Sequence, residues 1–232
     1  MRKSFFKMSI MTLLAVFALT AIPQDSYAQQ LTKKQEKSLT KKAKTQAKKL
    51  TKDGWDVSGS SKMLEEALFE HYSKQAKNNS DELVGEVSQC RSINVCRKNA
   101  LFNAQTDYVQ QISAEIKGIA DQVVNNNASL NLESDQFSGA FVGKFKADVS
   151  GILDESFSLV REKNGVKVFR TYFIINKLKE GAARTSALEM SLKETKLTVE
   201  QINTVSKFIE DKFKEEDDVK AKAVEAELEN EE

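Results

Sequence analysis

Between Cys96 and Asn126 the apolar residues Leu101, Ala104, Tyr108, Ile112, Ile116, Ile119 and Val123 recur at steps of 3, 4, 4, 4, 3 and 4. That spacing holds all seven on one face of a 3.6-residue helix, with Val109 and Ala120 widening the stripe. Asn103, Gln110, Glu115, Lys117 and Asp121 fall on the opposite, polar side. No proline interrupts the run, and the asparagines at 125–127 suit its stop, because Asn tolerates the left-handed conformation at helix ends. A helix of this length, ~45 Å at 1.5 Å per residue, needs a sheet or a second helix to cover its stripe. It is the predicted spine of a small α+β fold.

The same periodicity places four more helices. Gln29 to Lys52 is lysine-rich with a thin stripe of Leu31, Leu39, Ala43, Ala47 and Leu50. After Asp53-Gly54, Trp55 and the polar turn at 58–61, Met63, Leu64, Ala67, Leu68, His71 and Tyr72 mark a helix that Ser60 or Ser61 would cap. Phe137, Phe141, Phe145, Val149 and Ile152 form a stripe capped by Ser134 or Asp135, and the glycines at 139, 143 and 151 weaken it. Past Lys177 the chain is helical again. Thr198 and Gln201 make a capping-box pattern before Val199, Ile202, Val205, Phe208, Ile209 and Phe213. Residues 215–232 read as a frayed or disordered acidic tail.

Alternation replaces helical periodicity in two places. Glu82 to Ser88 is a short strand with Leu83, Gly85 and Val87 on one face and Val84 on the other. Residues 157–176 are a hairpin, since Asn164-Gly165 favours a two-residue turn with positive φ at both positions. Pairing Lys163 with Val166 sets Glu162 opposite Lys167, Val160 opposite Phe169 and Leu159 opposite Arg170. Both faces are partly apolar, so the pattern leaves open which one meets the spine. The long strand from Val166 to Ile175 is expected inside the sheet.

The first residues change the picture of where this chain works. A basic opening, an apolar run over 8–22 and a polar stretch ending Ser26-Tyr27-Ala28 read as a signal peptide, with cleavage between Ala28 and Gln29. The apolar run is shorter than the ~20 residues a membrane span needs, and no later run is long enough. The expected organisation is 1–28 signal peptide, 29–53 basic helical extension, 54–80 Trp-containing linker and helix, 81–180 α+β core, 181–214 C-terminal helices and 215–232 acidic tail. The expected location is periplasmic or outer-envelope associated.

Charge is balanced overall but not along the chain. The formal net charge is +1, and losing Arg2, Lys3, Lys7 and Asp25 with the leader brings it near −1 (+1 minus +2). That argues against nucleic acid as a partner. Residues 29–53 carry nine lysines against Glu36 and Asp53, while 215–232 carry nine carboxylates against Lys220 and Lys222. Lys33, Lys34, Lys37, Lys41, Lys42, Lys44, Lys48 and Lys49 are therefore candidate contacts to anionic lipid or lipopolysaccharide. The competing reading is a solvated helix lying against the acidic C-terminal one.

Chemistry-bearing residues are few. Cys90 and Cys96 are the only cysteines; in an exported chain a disulfide and two free thiols both fit. With His71 as the single histidine, neither a metal site nor a catalytic histidine is expected, and no cofactor motif or nucleophile motif is present. Gly54-Trp55, Leu64-Glu65-Glu66-Ala67, LVGEVSQ at 83–89, the helix with Ala100 and Ala104, and VFRTYFIIN at 168–176 together resemble exported proteins of unassigned function from Bacteroides-like bacteria. More distantly, residues 82–176 resemble the domain of small surface lipoproteins and flagellar basal-disk lipoproteins, though without their lipidated cysteine. The resemblance implies an envelope location and a non-enzymatic structural or assembly role, with a protein partner or self-association. The alternative is a surface-binding protein that uses the lysine helix on envelope lipid. A hydrolase with an unrecognised site is the third possibility.

Overall fold

The computed structural model describes residues 31–230 except 79, 90, 91, 128, 129, 131 and 164. The expected leader and its expected Ala28–Gln29 junction, like Cys90, lie outside the described residues. Along the chain the elements are α1 (Lys33–Lys52), β1 (Asp56–Val57), α2 (Leu64–Asn78), β2 (Glu82–Ser88), α3 (Ile93–Asn126), α4 (Ser134–Ile152), β3 (Leu153–Lys163), β4 (Val166–Ile175), α5 (Lys177–Lys193) and α6 (Val199–Asn230). The strands form one antiparallel sheet in the order β1-β3-β4-β2. The fold is α+β, and β4 is inside the sheet as its apolar length requires.

The hairpin adopts the expected register: Lys163 faces Val166, Glu162 faces Lys167, Val160 faces Phe169 and Leu159 faces Arg170. Gly165 sits at φ +74, the left-handed region that the turn demands. A bulge between Glu155 and Phe157 interrupts the pairing. The question of faces is resolved by packing. Val160 and Phe169 cluster with Cys96 and Ala100 of α3. Phe157, Leu159 and Tyr172 cluster instead with Trp55, Leu68 of α2 and Ala43, Ala47 and Leu50 of α1.

The sheet therefore has helices on both sides. On one side the α3 stripe, from Ala104 to Val123, packs with Phe137, Phe141 and Phe145 of α4, Leu188 and Leu192 of α5, and Val205 and Ile209 of α6. Burying a side chain of this size contributes roughly 1.5–3 kcal/mol, and the spine earns its central place through nine buried residues. At one point backbone meets backbone: a Cβ added to Gly85 of β2 would sit 1.9 Å from the Ala100 carbonyl oxygen. Only glycine permits that approach.

On the other side α1 lays Leu39, Ala43, Ala47 and Leu50 inward, and the helix is opened by a capping box between Thr32 and Gln35. This second helical layer was not expected, nor was β1. Trp55 stands where the two meet. It is buried between the guanidinium groups of Arg161 and Arg170, each 4.4 Å from its ring, and the strand after it pairs Asp56 with Val160.

Several local expectations are corrected. Met63 is 75% exposed, because α2 starts one residue later; Ser60 accepts a hydrogen bond from the Lys62 amide in the preceding turn and does not cap the helix. The N-cap of α4 is Glu133 without a side-chain bond, so Ser134 and Asp135 lie inside the first turn. There Asp135 pairs with Lys117 of α3. Asn127 closes α3 at φ −137, outside the left-handed region. The acidic tail, expected to fray, continues α6 to Asn230. The Thr198–Gln201 box is formed as expected.

Candidate functional site

The eight candidate lysines share one helix and one environment. Lys33, Lys34, Lys37, Lys41, Lys44, Lys48 and Lys49 are exposed, and Lys42 is half-buried with its ammonium 5.1 Å from the Tyr72 ring. Leu39, Ala43, Ala47 and Leu50 of α1 are already buried, the last three in one cluster with α2 and the sheet, so these four leave no hydrophobic face to sink into a bilayer. Any contact it makes with an anionic surface is made by the ammonium groups alone.

Cys96 is buried beside Ala100 and Phe169, and no free cysteine occurs among the described residues. His71 is fully buried. Its ring meets Tyr72, Phe157 and Tyr172 edge-on at 5.5–5.7 Å, and Nε2 lies 2.5 Å from a Glu82 carboxylate oxygen. Nδ1 is buried and has no hydrogen-bond partner among the described residues. The histidine thus ties α2 to the start of β2 from inside an aromatic enclosure.

The most concentrated electrostatics belong to a network whose members the sequence pattern does not bring together. Arg184 of α5 donates to Glu115 of α3 at 2.6 Å and reaches Glu180, one turn earlier, at 2.9 Å. The Tyr108 hydroxyl of the spine donates to Glu180. Lys177 lies 2.9 Å from Asp81, 3.2 Å from Glu180 and 3.4 Å from Asp217 of α6. The Arg184 guanidinium also covers the Phe213 ring at 4.7 Å. One network therefore joins α3, α5, α6 and the residue before β2. Beside it is a cleft of about 290 Å³ lined by Asp81, Leu83, Tyr108, Gln111, Glu115 and Arg184.

The pairing moves the titrations in a consistent sense. Burial, reinforced by the Glu180 charge, pushes the Tyr108 phenol well above its ordinary range. For Arg184 burial works against the charged form, but Glu115 and Glu180 outweigh it and the pKa rises. Lys177 follows the same pattern, with Glu180, Asp81 and Asp217 overcoming burial. These groups are held in the states they have at neutral pH, and the arrangement is that of a structural tie.

Two signals for this network were available. Tyr108 stands in an otherwise apolar stripe, and a buried tyrosine hydroxyl needs a partner. Glu180 and Arg184 are spaced i, i+4 on a helix of weak apolar periodicity. Among the described residues no group of three or more acidic, histidine or cysteine side chains could hold a metal ion, and no helix is long and apolar enough to cross a membrane. No protein-family model matches the chain, and no significantly similar curated protein or solved structure was found.

Proposed function

We propose that this protein is a non-enzymatic, exported cell-envelope module that works by binding or assembly, through a protein partner or a second copy. The observation that carries this reading is the disposition of charge. The charges at Arg184, Glu180, Glu115 and Lys177 neutralise one another between α3 and α5, whereas the charges of α1 line its outward side. A scaffold tied in this way presents surfaces and keeps its buried acids and bases occupied. Export rests on the leader, with cleavage after Ala28, and on the resemblance to envelope proteins. A Cys90–Cys96 disulfide closing the turn before α3 belongs to the same reading, supported by the absence of a free cysteine among the described residues. Crosslinking in intact cells, followed by identification of captured chains, should trap a reproducible envelope partner or a dimer. Recovery of an uncrosslinked monomer from the envelope fraction would overturn the reading.

A second reading has its own support. The exposed lysines of α1 present a one-signed surface, and each basic residue near an anionic leaflet is worth about 1 kcal/mol. Deleting the helix would strip Leu39, Ala43, Ala47 and Leu50 from the interior, so the informative variant neutralises Lys33, Lys37, Lys44, Lys48 and Lys49 to Gln. Salt-sensitive binding to anionic vesicles should disappear in that variant. Binding that survives unchanged would refute the use of this helix.

A further inference from the structure

The helix α6 has two unlike halves. Up to Phe213 it belongs to the interior, with Val205 and Ile209 fully buried and Phe213 beneath Arg184. Beyond that point Lys214, Glu215, Asp217, Asp218 and Val219 are exposed, yet the helix continues to Asn230. Its last sixteen residues, 215–230, span ~24 Å, and a helix of that length is marginal by itself in water.

Its neighbours suggest what steadies it. Asp217 reaches Lys177, and α6 comes into contact with α1. Lys34, Ser38 and Lys41 of α1, spaced i, i+4 and i+7 along one strip, are each engaged in an interaction. Residues 215–232 hold nine carboxylates against two lysines, and 29–53 hold nine lysines against two carboxylates. Two helices of opposite sign in contact attract, and that attraction weakens as salt screens it.

We infer that the acidic extension of α6 is a built-in competitor for the lysine face of α1, occupying it until an anionic surface displaces the extension. The ligand chemistry is a sheet of phosphate-bearing lipid headgroups. Such a surface offers the lysines many negative charges at once, whereas the extension offers few but is tethered and therefore always at high local concentration. The inference rests on the second reading above, and its failure is separable from the failure of that reading.

The test uses vesicles of phosphatidylcholine alone and vesicles containing phosphatidylglycerol, at low salt. The full chain should bind the anionic vesicles weakly. A chain ending at Lys214 keeps Val205, Ile209 and Phe213 and should bind about tenfold more tightly, the gain expected from freeing one or two lysines. The full-length variant Glu225→Gln, Glu227→Gln, Glu229→Gln should shift the same way by a smaller factor, which guards against a folding defect in the shortened chain. With the unaltered chain, anionic vesicles should accelerate cleavage by a Glu-specific protease within 215–232 severalfold, and phosphatidylcholine vesicles should not. Equal affinity of the long and short chains overturns the competitor while leaving the lysine reading intact. Absence of binding by both overturns the two together. Tighter binding without faster cleavage also overturns the competitor, because net charge alone would then account for the gain.

Discussion

The two faces of the sheet are held to their helices by different means. Toward α3 the sheet is fitted mainly by shape: Gly85 brings two backbones together at Ala100, apolar side chains fill the interior, and the polar contacts are few, the Ser158–Thr171 hydroxyl bond at 3.0 Å, Asn103 donating to the Glu86 carbonyl at 2.8 Å and Arg97 3.5 Å from Glu155. Toward α1 and α2 the fit is made by rings and charges. Trp55 lies between two arginines, Phe157 stacks on Tyr172 with centroids 4.5 Å apart and planes 6° from parallel, and His71 bonds Glu82. A steric seam is intolerant of added atoms. A ring-and-charge face has orientation to lose, and it loses it in smaller steps.

That contrast can be tested by substitution, read as urea midpoints and extrapolated stabilities. The largest loss should come from Phe141→Ala behind the seam, where stacked Phe145 and tilted Phe213 cannot fill the void; about 4 kcal/mol is expected. Gly85→Ala adds one methyl group against a carbonyl and should lose about 3 kcal/mol. Val84→Ala, one residue away and half turned to solvent, should stay within roughly 0.5 kcal/mol. Equal effects at 84 and 85 would dissolve the seam. Trp55→Leu retains most of the apolar bulk but gives up both cation–π contacts, about 1–2 kcal/mol in all. A loss exceeding that of Gly85→Ala would reverse the ranking of the two faces.

The smallest effect is a pH dependence on the seam side. The folded pKa of Tyr108 lies above its unfolded value of about 10. The neutral phenol therefore contributes fully below about pH 10, and its contribution is lost as pH rises toward the folded pKa. Lys177 and Arg184 are raised as well and act in the same direction. Stability should be flat near neutrality and fall above about pH 10. Tyr108→Phe should cost about 1 kcal/mol near neutrality and reduce the alkaline slope. An unchanged slope would show that the phenol does not titrate with unfolding.

The same contrast explains what the sequence allowed one to read. The seam side was legible because its residues obey one period: Ala104 to Val123 in α3 and Phe137 to Ile152 in α4 are where the spacing puts them. The hairpin register followed from Asn164-Gly165, and β2 from strict alternation. The other side is built from Trp55, Arg161, Arg170 and His71, residue types that read one at a time as turn, surface or isolated packing. Their meaning is pairwise and long-range, as in the two N–H groups of Arg170 that converge on one carboxylate oxygen of Glu86, 84 positions apart. The charge network was missed for the same reason, since Glu115 and Arg184 are 69 positions apart and neither is unusual alone. The lysine candidates were legible as a cluster, but not the fact that their apolar stripe is already occupied.

The bulge in β3 has a reach well beyond Ser156. Near the turn the even-numbered residues Ser158 and Val160 lie opposite Thr171 and Phe169 and look toward the spine, while at the other end odd-numbered Leu153 lies opposite Ile175 and does the same. One extra residue thus acts as a phase shifter in an eleven-residue strand, and no single alternation describes both ends. It allows the strand to leave α4 with Leu153 on the interior and Asp154 in solvent, and still arrive at the turn with Phe157 and Leu159 facing the opposite layer. A sheet clad on both sides by helices of different origin has, in β3, a wire that changes polarity halfway along.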